Sequence, residues 1–119
     1  MKKRVLIADD DLHVRRALER ELRPHFEVDT ADCYLAAAAL LERGARFDAA
    51  VVDVGLGRML GGVKLLEAIE RRSPQCVRVL ISGQTMDDSV RKAVATKLAK
   101  QFIPKPWVRE ELLRALEGK

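Results

Sequence analysis

Apolar and polar positions along this chain follow two alternating rhythms. Short, nearly continuous apolar runs stand at RVLIA (4–8), FDAAVVDV (47–54), VRVLIS (77–82) and FIP (102–104), with a weaker one at FEVDTA (26–31). Runs of this kind predict strands buried on both faces. Between them, apolar residues recur at helical spacing. Val14, Ala17, Leu18 and Leu22 share one face, as do Val90, Ala93, Val94 and Leu98, and again Val108, Leu112, Ala115 and Leu116. YLAAAALLER and VKLLEAIERR supply two more helices, with Gly44 and Ser73-Pro74 as stops. Five strands alternating with five helices predict an α/β fold, a parallel sheet covered on both faces by right-handed crossovers.

With 119 residues the alternation fills a single domain, 1–119, and a chain of this size buries roughly two thirds of its unfolded surface without needing a disulfide or metal staple. Cys33 and Cys76 are isolated thiols with neither C-x-x-C spacing nor a secretory signal before them, which predicts core cysteines in a reducing, cytoplasmic setting. The longest strongly apolar stretch, YLAAAALL at 34–41, is far short of the roughly 20 residues of a membrane span. A net charge of +4 would suit nucleic acid if it were clustered. The basic residues Arg15, Arg16, Arg20, Arg23, Arg71, Arg72, Lys97 and Lys100 are instead interleaved with acids, and one Trp, one Tyr and three Phe are too few for a base-stacking platform. The expectation is solvated helix faces, with no direct nucleic acid or membrane contact.

Ligands of open parallel sheets bind beyond the carboxyl ends of the strands. Those ends carry Asp9-Asp10-Asp11, Asp53, Ser82-Gly83 and Lys105-Pro106. Like charges about 4 Å apart repel by roughly 4 kcal/mol at a surface-like dielectric, so the acidic cluster calls for a cation. Asp10 facing Asp53 suits Mg²⁺, which takes one or two carboxylates plus waters and substrate oxygens; Asp9 would hold a coordinated water. Asp53, the lone acid at its strand end with Val54 and Gly55 leaving access, is the candidate nucleophile for a phosphoryl group, giving an acyl phosphate. Lys105 would pair with the phosphoryl oxygens, or with Asp53 before transfer, and the Ser82 hydroxyl would donate to a phosphoryl oxygen. Asp11 reads as a helix N-cap, and Lys105-Pro106 equally as a simple loop with a cis bond. His13 and His25 lack a partner at ligand spacing.

Taken together, VLIADDDLHVRRAL, FDAAVVDVGL, VRVLISG and FIPKPW carry a family resemblance. The chain resembles the receiver domain of bacterial two-component response regulators over essentially its whole length. That resemblance implies a flavodoxin-like (βα)5 fold with strand order 2-1-3-4-5. It implies Asp53 as the phosphorylated residue, Asp9 and Asp10 as the acid pair organising Mg²⁺, and the Gly55 backbone carbonyl as a further metal ligand. Ser82, Phe102 and Lys105 become the switch set of hydroxyl, rotating aromatic and lysine. The phosphoryl donor would be a histidine kinase or a histidine phosphotransfer protein, docking on the first helix with its basic side Arg15, Arg16 and Arg20. The output would be altered binding of an effector domain or protein through the fourth helix, fifth strand and fifth helix, a face that also allows a homodimer and near which Trp107 would lie. Such a module is no enzyme beyond its own phosphorylation and autodephosphorylation.

Departures from the family pattern cluster in two places. Gly57 stands where proline is usual, in a loop, 54–62, that is one residue longer than common, and ATKLAKQ before Phe102 lacks the usual Gly-Ala pair. Gly55 and Gln84 occupy positions that tune water access to the acyl phosphate, with Gly55 leaving water relatively unhindered. Two other functions compete. A Mg²⁺-dependent small-molecule phosphatase would want a second acid two residues after its nucleophile, where Gly55 stands. A pseudo-receiver binding partners without phosphorylation is opposed by the presence of all the expected groups.

Overall fold

The computed structural model describes residues 2–57, 61–83 and 86–118. The elements run β1 (Lys3–Ala8), α1 (Leu12–Leu22), β2 (Phe26–Ala31), α2 (Tyr34–Glu42), β3 (Ala49–Asp53), α3 (Gly61–Arg72), β4 (Val77–Ser82), α4 (Asp88–Ala95), β5 (Gln101–Pro104) and α5 (Arg109–Leu116). All strand pairs are parallel and the sheet order is β2-β1-β3-β4-β5, a flavodoxin-like arrangement. β3, at the centre, is buried along its whole length, which is why its sequence reads as an unbroken apolar run. The run predicted at 47–54 is wider than the strand, because Phe47 and Asp48 precede the ladder and Val54 follows it.

Helices α1 and α5 cover one face of the sheet through Leu18, Leu22, Leu112 and Leu116. The other face is covered by α2, α3 and α4 through Leu41, Leu65, Leu66, Ile69 and Val90. Two helical assignments shift. Lys97 takes a left-handed backbone (φ 64°), so α4 ends at Ala95 and Leu98 packs from the connecting turn rather than from the helix. Val108 is the N-cap of α5 and 59% exposed, so it does not belong to that helix's buried stripe. Gly44 takes φ 93° just beyond α2, the left-handed stop its position predicts. No described helix is long and apolar enough to cross a membrane.

At the end of the sheet where strands begin, a cation meets a carbonyl at or just past the C-terminus of four of the helices. Lys2 Nζ donates to Arg23 O after α1, Arg72 Nη1 to Leu41 O in α2, Arg46 Nη1 to Arg72 O in α3, and Lys100 Nζ to Ala115 O in α5, at 3.1, 3.1, 3.2 and 3.3 Å. The turn after α4 is served by Arg78, a strand residue only 8% exposed, whose Nε reaches Leu98 O at 2.7 Å and whose Nη1 reaches Cys76 O at 3.0 Å. Helix C-termini attract cations through their dipole and their orphan carbonyls. Part of the basic excess is therefore consumed inside the fold.

Candidate functional site

The carboxyl ends of β1, β3 and β5 bring four ionisable groups together, Asp9, Asp10, Asp53 and Lys105. Asp9, just past β1, is fully buried. Its Oδ1 accepts from the Asp11 N–H at 2.8 Å, and its carbonyl accepts from Arg15 Nη1 at 2.9 Å. Lys105, just past β5, places Nζ 2.9 Å from Asp9 Oδ2 and 2.9 Å from Asp53 Oδ1, while its own N–H donates to Ser82 O at 2.8 Å. Asp10 is exposed and accepts from the Gly57 N–H at 3.2 Å. Asp9, Asp10 and Asp53 each offer an oxygen within 4.8 Å of the others.

Burial raises the Asp9 carboxyl above its ordinary value, with the Asp53 charge adding to it; the Asp11 N–H and Lys105 oppose this only in part. For Lys105, burial alone pulls downward, but hydrogen bonds and charge from Asp9 and Asp53 outweigh it and hold the ammonium above its usual value. Lys105 thus pairs with Asp9 and Asp53, while Asp10, the third acid of the cluster, is outside both ion pairs. Asp9 Oδ2 is buried and, ion pair aside, accepts no hydrogen bond among the described residues. An under-compensated, all-oxygen donor set fits a hard divalent cation such as Mg²⁺.

The loop after β3 is shaped around Asp53. The Asp53 carbonyl accepts from the Leu56 N–H, and the Val54 carbonyl accepts from the Gly62 N–H, both at 3.2 Å. A Cβ on Gly62 would fall 2.2 Å from Asp53 O, and one on Gly61 2.3 Å from Leu56 O; only glycine lets the start of α3 lie this close. Gly57 has φ 83°, a conformation closed to the proline usual in the family. Gly55 is exposed, and a Cβ there would make an ordinary 3.5 Å contact with Asp53 Oδ2.

A cleft of about 530 Å³ opens over Asp53, Lys105 and Ser82, with Val14, Val90 and the partly buried Phe102 also lining it. The predicted residues Asp9, Asp10, Asp53 and Lys105 therefore converge, and Ser82 and Phe102 line the same cleft. Asp11 caps α1, accepting from His13 and Val14 N–H, and Lys105-Pro106 is cis. Gln84 and positions 58–60 of the long loop lie outside the described residues.

Three expectations change. Arg15 is not part of a free basic surface, because its guanidinium is spent on the Asp9 carbonyl; Arg16 and Arg20 are exposed. Trp107 packs against the α1/α5 layer and donates from Nε1 to Glu21 Oε2 of α1 at 2.8 Å. Cys33 is half-buried and caps α2, its Sγ accepting from Ala36 N–H at 3.4 Å, whereas Cys76 is buried and its thiol is pushed up to about 12 by that burial. Sequence reasoning noted the glycines at 61 and 62 only as a longer loop. The adjacent Gly-Gly opening a helix was the available signal.

Comparison with known proteins places this geometry. A family model described as the response regulator receiver domain matches residues 5–117. The chain is 36% identical over 113 residues to the hydrogenase transcriptional regulatory protein HoxA of Cupriavidus necator, a match covering 92% of this chain and 22% of that protein. It is 38% identical over 120 residues to the transcriptional regulatory protein PrrA of Mycobacterium tuberculosis, covering 97% of this chain and 48% of that one. It spans less than half the length of either relative. Among solved structures, a CheY-like receiver domain protein of Methanospirillum hungatei superposes with a TM-score of 0.87 at 25% identity, covering 99% of this chain and 93% of that one. A match running from the first strand to the last helix, on a fold shared with a solved CheY-like receiver, makes the chain a member of the response regulator receiver domain family, a regulatory phosphoacceptor module of signalling proteins.

Proposed function

We propose that Asp53 is the phosphoacceptor of this receiver, with residues 1–119 forming the one domain that takes a phosphoryl group from a histidine kinase or histidine phosphotransfer protein. The observation that carries this reading is the shared lysine: one ammonium, 2.9 Å from both Asp53 Oδ1 and Asp9 Oδ2, is placed to meet oxygens of a group arriving on Asp53.

An Asp53 carboxylate oxygen forms the new bond to phosphorus, and the donor's phosphorus–nitrogen bond breaks, its electron pair leaving with the imidazole. Asp10, Asp53, the Gly55 carbonyl and, through a water, Asp9 would hold Mg²⁺, which supplies charge neutralisation at the transferring group. Lys105 and the Ser82 hydroxyl stabilise the phosphoryl oxygens. Phosphorylation then biases Ser82 and Phe102 between two arrangements and alters an output surface on α4, β5 and α5, where an effector domain or a second copy binds. The names of HoxA and PrrA, both transcriptional regulatory proteins, support an effector that acts on transcription, with nucleic acid contacted outside this domain. Beyond phosphorylating and dephosphorylating itself, the domain carries out no catalysis.

Intact mass after incubation with acetyl phosphate and Mg²⁺ tests the reading. The native chain gains one phosphoryl group, and Asp53→Asn or chelation of the metal abolishes the gain. An adduct that persists in Asp53→Asn contradicts the assignment. No adduct and no beryllofluoride complex on a folded native chain favour a phosphorylation-independent binding module.

A further inference from the structure

Helix α1 is tied to Asp9 and to the segment that follows Lys105. In its first half, Arg15 Nη1 holds the Asp9 carbonyl at 2.9 Å. In its last turn, Glu21, with a side chain only 19% exposed, accepts Trp107 Nε1 at 2.8 Å on one carboxylate oxygen and Arg109 Nε at 3.2 Å on the other. Trp107 lies two residues beyond Lys105 and packs against the α1/α5 layer. Before the lysine side chain begins, its N–H is tied to Ser82 O. Lys105 is therefore fixed to β4 at its own backbone and to α1 just after it. A long, flexible ammonium that must meet two carboxylates at 2.9 Å benefits from such bracing, because charge-assisted hydrogen bonds to a carboxylate are the stronger kind.

We propose that Glu21 is a positioning residue for Lys105. Together with Arg15, it makes α1 the frame that sets the lysine against Asp9 and Asp53. The proposal rests on the reading of Lys105 as a contact to the transferring phosphoryl group. It gives the Trp that replaces the family's usual Phe in KPW a role inside the fold, on the α1 side.

A double-mutant cycle on the full chain separates this role from a merely structural one. The rate of adduct formation is followed by intact mass at saturating acetyl phosphate and Mg²⁺ in Glu21→Ala, Lys105→Met and the double variant. Glu21→Ala should slow labelling about tenfold, in line with the cost of sub-ångström misplacement, yet add less than about twofold once Lys105 is already Met. Glu21→Gln, which retains an acceptor for the indole, should restore most of the rate. Trp107→Phe, which keeps a ring and loses only the N–H, should slow labelling in the same direction and carries the test if Glu21→Ala folds poorly. An equal fold-loss in both lysine backgrounds overturns the proposal, as does an unchanged rate in both Glu21→Ala and Trp107→Phe while Lys105→Met is slow. Native-rate labelling of Lys105→Met instead removes the reading of Lys105 itself.

Discussion

Replacing Gly62 with alanine tests how the loop holds Asp53. The added Cβ would sit 2.2 Å from the Asp53 carbonyl oxygen and within 2.9 Å of two Val54 backbone atoms, against a floor of 3.0 Å for real contacts, so the gap must open by about 0.8 Å. The obstructing atoms are backbone, and Asp53 is pinned in the central strand next to Ile81, so no side chain can rotate away. Overpacking of this severity costs roughly 2–3 kcal/mol, from which alanine's better helix propensity recovers about 1. The net loss of about 1–2 kcal/mol lowers the melting temperature by roughly 5–10 °C. Because the strain falls on Asp53 and Val54, labelling by acetyl phosphate should slow about tenfold. Gly83→Ala is the matched control: its Cβ would meet only Lys105 Cβ at 4.0 Å, and the change should stay within about 0.5 kcal/mol. Native-like melting and labelling in Gly62→Ala would refute the close approach of α3 to the Asp53 loop.

Other outcomes follow from the same geometry. Asp9 has a folded value raised above its ordinary 3.8, so it favours the folded state below about pH 3.8 and loses that contribution as pH rises through the raised value. Asp9→Asn should therefore raise the melting temperature at neutral pH and reduce the stabilisation given by Mg²⁺, both read by thermal scans with and without the metal. Arg78→Met strips donors from buried carbonyls at Cys76 and Leu98; it should cost about 3 kcal/mol or more in denaturant unfolding and speed amide exchange at 96–101. Charge reversal at Arg16 and Arg20 should slow transfer from a cognate histidine kinase while sparing labelling by acetyl phosphate. Arg15→Glu should slow both, because it releases the Asp9 carbonyl; equal loss in both assays for all three would remove α1 as a docking face.

The parts legible in the sequence are those set by local pattern. Parallel strands buried on both faces force continuous apolar runs, and an acid placed directly after such a run, as at Asp9, Asp10 and Asp53, stands out because burial makes it costly. Lys105 was legible for the same reason, following β5 at once. What escaped depends on contacts between distant segments. Arg78 sits in an apolar run and gave no sign that it would cap the turn after α4. The helical period continued by chance to Leu98, although the backbone turns left-handed at Lys97. The direction of Trp107 was set by a carboxylate on α1, far away in sequence. The basic charge looked dispersed because its function at the helix ends emerges only when the strands' starting ends are assembled.

The most direct test of the central claim is to locate the acyl phosphate. After labelling with acetyl phosphate and Mg²⁺, borohydride reduces an aspartyl phosphate to homoserine, and tandem mass spectrometry of the tryptic peptides 5–15 and 47–58 distinguishes Asp9, Asp10, Asp48 and Asp53. Conversion is expected at Asp53 alone, and it is lost when the metal is chelated. Conversion at Asp48, Asp9 or Asp10, or none in a folded chain that has gained phosphoryl mass, would contradict the claim.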